Sequence, residues 1–180
     1  MEEQALINNC LKGDSISQRK LFEKFAPKMM SVSLRYMRDS QEAEDVLQDA
    51  FVKVFNYLHK YESTGSLEGW IRRIVVNTAL DQLRKNAKFG YMDDVDEVGY
   101  KIEYNDYVVE GLAAEDLMKI INQMPNGYKV VFNLFAIEGY SHKEIADLLS
   151  ITESTSKSQY LRARAYLKDK LEHLEIEYRR

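Results

Sequence analysis

From Ser15 to Lys85 apolar side chains return every three or four positions, and no stretch sustains the two-residue alternation of a half-buried strand. That rhythm closes off most β architectures, because a helix-period pattern cannot keep one face of a strand apolar. Only two prolines and eight glycines interrupt the 180 residues, so helices joined by few turns follow. The rhythm stops after about residue 87 and resumes at about Leu112. The expected fold is therefore all-α: two helical domains, 1–87 and 112–180, joined by an acidic linker at 88–111.

Charge follows the same division. The net charge of −4 argues against a nucleic-acid partner only if it is spread evenly, and it is not. Residues 1–87 hold 13 basic and 12 acidic side chains, residues 112–180 hold 10 of each, and residues 88–111 hold 2 basic against 7 acidic. In that middle stretch Tyr91, Tyr100, Tyr104 and Tyr107 are interleaved with the carboxylates, which suits a linker and equally suits a segment packed onto one domain.

Within the first domain one helix is expected from about Gln41 to Leu58. Leu47, Phe51, Val54, Phe55 and Leu58 form its apolar stripe, and Glu44, Asp45, Gln48 and Lys53 lie mostly off it. A turn-rich loop from Tyr61 to Ser66 leads into a second helix from Leu67 to about Lys85. Leu67, Trp70, Ile71, Ile74, Val75 and Thr78 are read as inward, with Trp70 taken as core packing rather than a platform for a base. Arg72, Arg73, Asn77, Asp81 and Arg84 are read as outward. Cys10, alone in the chain, is read as a small buried apolar residue.

The second domain carries the most informative segment. A helical stretch from Tyr128 to Ile137 follows the turn residues Pro125, Asn126 and Gly127, and Gly139 ends it. Ser141 and Glu144 have the spacing of a capping box ahead of Ile145, Ala146, Leu148 and Leu149. That short helix stops near Ser150, and Thr152 caps another. A short helix, a tight turn and a second helix rich in Lys, Ser, Gln and Arg is a helix-turn-helix, whose second helix enters the major groove. Glu153, Ser154, Thr155, Lys157, Ser158 and Gln159 fall where base contacts are usual, and Arg162, Arg164 and Lys168 where phosphates are met. The bland alternative is a solvated basic helix in an ordinary bundle.

Nothing in the sequence suggests catalysis. His59, His142 and His173 are dispersed, no Cys-rich or paired-His spacing accompanies them, and neither a phosphate loop nor a nucleophile elbow occurs, so no metal, cofactor or catalytic residue is expected. No run reaches the roughly 18 apolar residues of a membrane span, and the N-terminus opens on Glu2 and Glu3. A cytoplasmic protein that does not insert into membranes is expected.

The stretch from Met124-Pro125 to Leu171, with Gly139-Tyr140-Ser141, Glu144-Ile145-Ala146, Lys157-Ser158 and Arg162-Ala163-Arg164, resembles the promoter-reading region-4 domain of RNA polymerase sigma factors. Asp45-Val46-Leu47-Gln48-Asp49-Ala50-Phe51 and Gly69-Trp70-Ile71-Arg72-Arg73-Ile74, followed by Asn77, Asp81 and Leu83-Arg84, resemble the region-2 domain of the extracytoplasmic-function class. Two motif sets in this order, with a short linker between them, are more specific than a helix-turn-helix alone. The resemblance spans about residues 15–87 and 112–172.

The resemblance implies roles for particular positions. Asp45 and Gln48, with Glu44 and Asp49 beside them, match the polar face that grips the clamp helices of core RNA polymerase. The loop bearing Ser63 and Thr64, and the helix bearing Arg72, Arg73, Asn77 and Arg84, match the surface that recognises and opens the minus-10 element. The helix-turn-helix would read the minus-35 element of promoter DNA. An anti-sigma factor, frequently membrane-bound, restrains many members of the class. Ser150, Ser156 and Gln159 depart from the family pattern, which often has Gly, an apolar residue and Arg there. Two other readings compete: a stand-alone helix-turn-helix regulator that does not join polymerase, and a helical adaptor that binds only proteins.

Overall fold

The computed structural model describes residues 2–85 and 114–178, and among them it contains eight α-helices and no strand. The all-α expectation is met there; the acidic segment 88–111 lies outside the described residues. The chain divides into two units, Met1–Lys88 and Phe89–Arg180.

The first unit contains α1 (Glu2–Leu11), α2 (Ser15–Leu34), α3 (Ser40–Tyr57) and α4 (Leu67–Lys85), with a single 3-10 turn at Leu58–Lys60. Helices α2, α3 and α4 pack on one another and α1 packs on α2. Leu21 and Met29 from α2, Val46 and Val54 from α3, and Ile71 and Val75 from α4 form the centre of the core. Asp14 accepts from the Ser17 amide at 2.9 Å and Asp39 from the Glu42 amide at 2.8 Å, which starts α2 and α3. Those Ser17 donors hold the Asp14 carboxyl below the usual carboxylate range. Helix α2 runs through Pro27, whose missing N–H leaves one helical bond unmade.

Three details differ from the sequence reading. Helix α1 precedes the first expected element; its sequence is mostly polar, and among its described side chains only Ile7 and Cys10 are buried. The helix expected to reach Leu58 ends at Tyr57, and Leu58 enters the core from the tighter 3-10 turn. Phe55, Trp70 and Ile74, placed inward, are only half-buried.

The second unit contains α5 (Ala114–Gln123), α6 (Asn126–Phe132), α7 (His142–Leu149) and α8 (Glu153–Tyr178). Ile121, Met124 and Ala163 form a core cluster to which Leu117, Tyr128, Phe132 and Tyr166 add. Asn126 and Gly127, expected in a turn, already belong to α6, since Pro125 occupies the cap position where a missing N–H costs nothing. The stretch expected to be helical as far as Ile137 leaves α geometry at Asn133 and forms a π turn, Asn133–Ile137. Gly139 then takes φ +78°, reversing the chain.

Between α7 and α8 the reversal falls to Ser150, which is left-handed at φ 56°, ψ 42°. A side chain in that conformation costs about 1–2 kcal/mol. Ser150→Gly should therefore stabilise the second unit by about 0.5–1 kcal/mol, raising its melting temperature by a few degrees in a thermal scan. An unchanged or lower melting temperature would show that the serine is not strained.

Candidate nucleic-acid interface

In the first unit the loop between α3 and α4 and the start of α4 enclose an open cavity of about 430 Å³. Its walls include Lys60, Tyr61, Thr64, Ser66, Trp70 and Arg73. The loop is held by its own chemistry. Tyr61 donates through its hydroxyl to the Gly65 carbonyl at 2.5 Å, and Ser66 Oγ accepts from the Gly69 amide at 3.1 Å, capping α4. Ser63, exposed at the tip, takes φ +56°. The Trp70 ring stands 5.7 Å from that of Tyr61 at 52°. Trp70 is thus a wall of the cavity rather than a member of the core, which corrects the expectation for it. The sequence offered a signal in its place beside the loop, but not its depth.

Helix geometry sorts the other residues expected here. With about 100° per residue, Trp70, Arg73, Asn77, Asp81 and Arg84 fall within about 80° of one another, while Arg72 points to another side. The structure therefore groups Thr64, Arg73 and Trp70 at the cavity and continues the row through exposed Asn77 and Arg84. Arg72 is half-buried and off that row. Arg84 is already bound to Asp81 at 2.8 Å, and Asp81 also meets Lys53 at 3.4 Å. Lys53 Nζ in turn donates to Thr78 Oγ1 at 3.1 Å, which ties α3 to α4 beneath this face.

On α3, Glu44, Asp45, Gln48 and Asp49 are all exposed and lie on one side of the helix. One turn beyond them on the same side, Val52 is 60% exposed. Sequence reasoning left Val52 off the apolar stripe and assigned it no role.

In the second unit the expected capping box is present. Glu144 N–H donates to Ser141 Oγ at 3.2 Å, and Ser141 N–H donates to Glu144 Oε2 at 2.8 Å. Thr152 Oγ1 accepts from the Thr155 amide at 3.0 Å, which starts α8. Helices α7 and α8 with the short turn between them form the helix-turn-helix. Along α8, Glu153, Ser154, Lys157, Ser158 and Leu161 are exposed on one side, with half-buried Arg162 and Arg164 flanking them. Leu161 was not expected there, and contact with a thymine methyl is the chemistry it offers.

Two of the expected base-reading residues are otherwise engaged. Thr155 Oγ1 lies 2.8 Å from Thr152 Oγ1 in the cap. Gln159 turns off the exposed row, and its Oε1 is buried without a hydrogen-bond partner, next to the space a side chain at Gly127 would take. Lys157 is bound to Glu153 at 2.7 Å, and that hydrogen bond holds the Glu153 carboxyl below its usual range. Among the described residues no group of three His, Cys, Asp or Glu side chains is placed to hold a metal ion.

Comparison with known proteins gives this geometry a family. Residues 21–89 match sigma-70 region 2 and residues 114–167 match sigma-70 region 4, which together take up most of the chain. The chain belongs to the sigma-70 family. The region-2 match runs from within α2 through α4, and the region-4 match covers α5, α6, α7 and the first half of α8. An RNA polymerase sigma-H factor of Pseudomonas aeruginosa is 24% identical, over 96% of this chain and 95% of its own. An ECF RNA polymerase sigma-E factor of Escherichia coli is 26% identical, over 97% and 96%. The resemblance to the extracytoplasmic-function class is thereby borne out. Among solved structures, the complex of the sigma factor RpoE with the anti-sigma factor NepR from Bartonella quintana matches with a TM-score of 0.53 and 22% identity, over 86% of this chain and 96% of that one. CnrH, solved with the cytosolic domain of CnrY, matches at 0.50 and 18%, over 94% and 96%. These are likenesses of fold.

Proposed function

We propose that this sigma-70 family member binds core RNA polymerase and directs it to specific promoters. Residues 1–87 engage the polymerase clamp through Glu44, Asp45, Gln48 and Asp49, with exposed Val52 as an apolar anchor at the end of that face. The same domain captures an unstacked base of the minus-10 element in the cavity bounded by Thr64, Trp70 and Arg73, and Asn77 and Arg84 follow the strand. Ser63, at the exposed tip of the same loop, borders the bound strand. Residues 88–111 are the tether. Residues 112–180 read the minus-35 element with Ser154, Lys157, Ser158 and Leu161, while Arg162 and Arg164 meet phosphates. The observation that carries this reading is the open cavity walled by two aromatic rings, Tyr61 and Trp70, and by two cations, Lys60 and Arg73, against one carboxylate, Glu62, on the unit that matches region 2.

The protein acts by binding and positioning, without a catalytic step of its own, and works in the cytoplasm. Among the described residues no helix is long and apolar enough to cross a membrane. An anti-sigma protein that covers the cavity face and the α8 face would silence both DNA contacts at once; the sigma factor RpoE of similar fold was solved in complex with an anti-sigma factor.

Free, the chain should bind DNA weakly, because near-neutral domains offer little non-specific attraction and Lys157 and Arg84 already have acidic partners. Promoter binding measured with and without core polymerase tests this. Sequence-specific binding and transcription are expected only with polymerase. Tight, specific binding by the isolated chain would favour a stand-alone helix-turn-helix regulator instead.

A further inference from the structure

The contact between the two helices of the helix-turn-helix is not purely apolar. Ser156, on the inner side of α8, is fully buried. Its Oγ lies 2.9 Å from Nδ1 of His142, the first residue of α7. The imidazole also packs against two aromatic rings. It stacks on Phe135 at 4.2 Å and 12°, and meets the edge of Tyr160 at 5.8 Å and 60°. Phe135 and Tyr160 are themselves 4.5 Å apart. Burial and the Lys157 ammonium hold His142 below the ordinary imidazole range, against a smaller opposing pull from Glu153.

Apolar packing between helices is non-directional and tolerates rotation of one helix about its axis. A hydrogen bond to a buried hydroxyl does not, because it fails outside a narrow range of distance and angle and would leave the Ser156 oxygen stranded. Ser156 immediately precedes exposed Lys157 and Ser158, so the angle at which α8 is pinned through Ser156 is the angle at which those side chains face a groove.

We infer that the His142–Ser156 hydrogen bond fixes the rotation of α8 on α7 and makes the two residues a positioning pair for base discrimination by the recognition helix. This rests on the minus-35 reading proposed above. His142 touches no base in this account; it acts through the helix it holds, and stacking on Phe135, itself backed by Tyr160, orients the ring so that Nδ1 reaches Ser156.

The test uses the full chain with core polymerase, transcribing a parent promoter and derivatives with single base-pair changes in the upstream element. Ser156→Ala and His142→Phe should each lower discrimination between parent and derivatives about tenfold, the size of one lost base contact. The double variant should be no worse than either single one, since both remove the same bond. His142→Asn, whose amide can stand near the Nδ1 position, should recover most of the discrimination. Additive losses, equal losses on every promoter, or no rescue by asparagine would each overturn the inference. Should Ser156→Ala fail to fold, the imidazole nitrogen spectrum of the unaltered chain decides: a hydrogen-bonded Nδ1 is expected, and one resembling a solvated histidine overturns it. If the unaltered chain shows no upstream preference, the minus-35 reading itself has failed, whereas preference retained in Ser156→Ala removes only the positioning role.

Discussion

Trp70→Ala should cut run-off transcription from a duplex promoter by about ten- to a hundredfold. Stacking a base on an aromatic ring contributes about 1–3 kcal/mol, and each 1.4 kcal/mol is a factor of about ten in rate or occupancy. Trp70 has the placement that allows this. It is half-buried, faces a cavity of about 430 Å³, and is steadied by the Tyr61 ring at 5.7 Å. The energy is gained only after a base has left the duplex, so the loss should belong to opening rather than to docking. A template already unpaired across the minus-10 element should restore most of the signal, and Trp70→Phe should lie between the two. Holoenzyme assembly, measured separately, should not change. A loss of equal size on duplex and unpaired templates would mean that Trp70 supports the loop and does not receive a base.

Reversing two charges on α3, Asp45→Lys with Asp49→Lys, should weaken assembly with core polymerase by about thirty- to a hundredfold. The face is formed by exposed Glu44, Asp45, Gln48 and Asp49, with exposed Val52 at its end. Removing such charges costs attraction, and reversing them adds repulsion against the cationic partner surface they are proposed to meet, together about 2–3 kcal/mol. The substitutions lie at solvent, so the melting temperature of the region-2 unit should move little. Competition binding against an unaltered sigma factor measures the effect. If assembly is unaffected while Val52→Asp disrupts it, the face is right but its energy is apolar; if neither matters, the clamp is gripped elsewhere.

Much of this was readable before any coordinates. The capping box of Ser141 and Glu144 and the cap at Thr152 are local chemistry, set by residues three apart, and they mark the start of α7 and α8 where expected. Helix α4 was legible from Leu67 to Lys85 because its stripe is long. What failed was phase. Along the start of α8, Thr155, Ser156, Lys157, Ser158 and Gln159 are all polar, so no apolar stripe says which of them face inward. Gln159, expected to face a base, has its Oε1 hidden beside Gly127, and Ser156, to which no direction was given, is fully buried, both decided by tertiary packing. Arg72 and Arg73 are adjacent in sequence and were grouped together, yet neighbours in a helix point about 100° apart and only Arg73 reaches the cavity. Trp70 misled for another reason, because a large aromatic suits a core and an open wall equally well.

The π turn at Asn133–Ile137 has an evolutionary corollary. A π turn is an α-helix that has accepted one additional residue, so the chain emerging from it is advanced by about 100° relative to an uninterrupted helix. Phe135 lies within that turn, and its ring stacks on the imidazole of His142. Deleting one residue there would yield a more regular helix at the expense of the clockwork downstream: ring, imidazole and serine would no longer meet. Homologues that keep the mesh should therefore tolerate substitution in this turn far better than any change in its length.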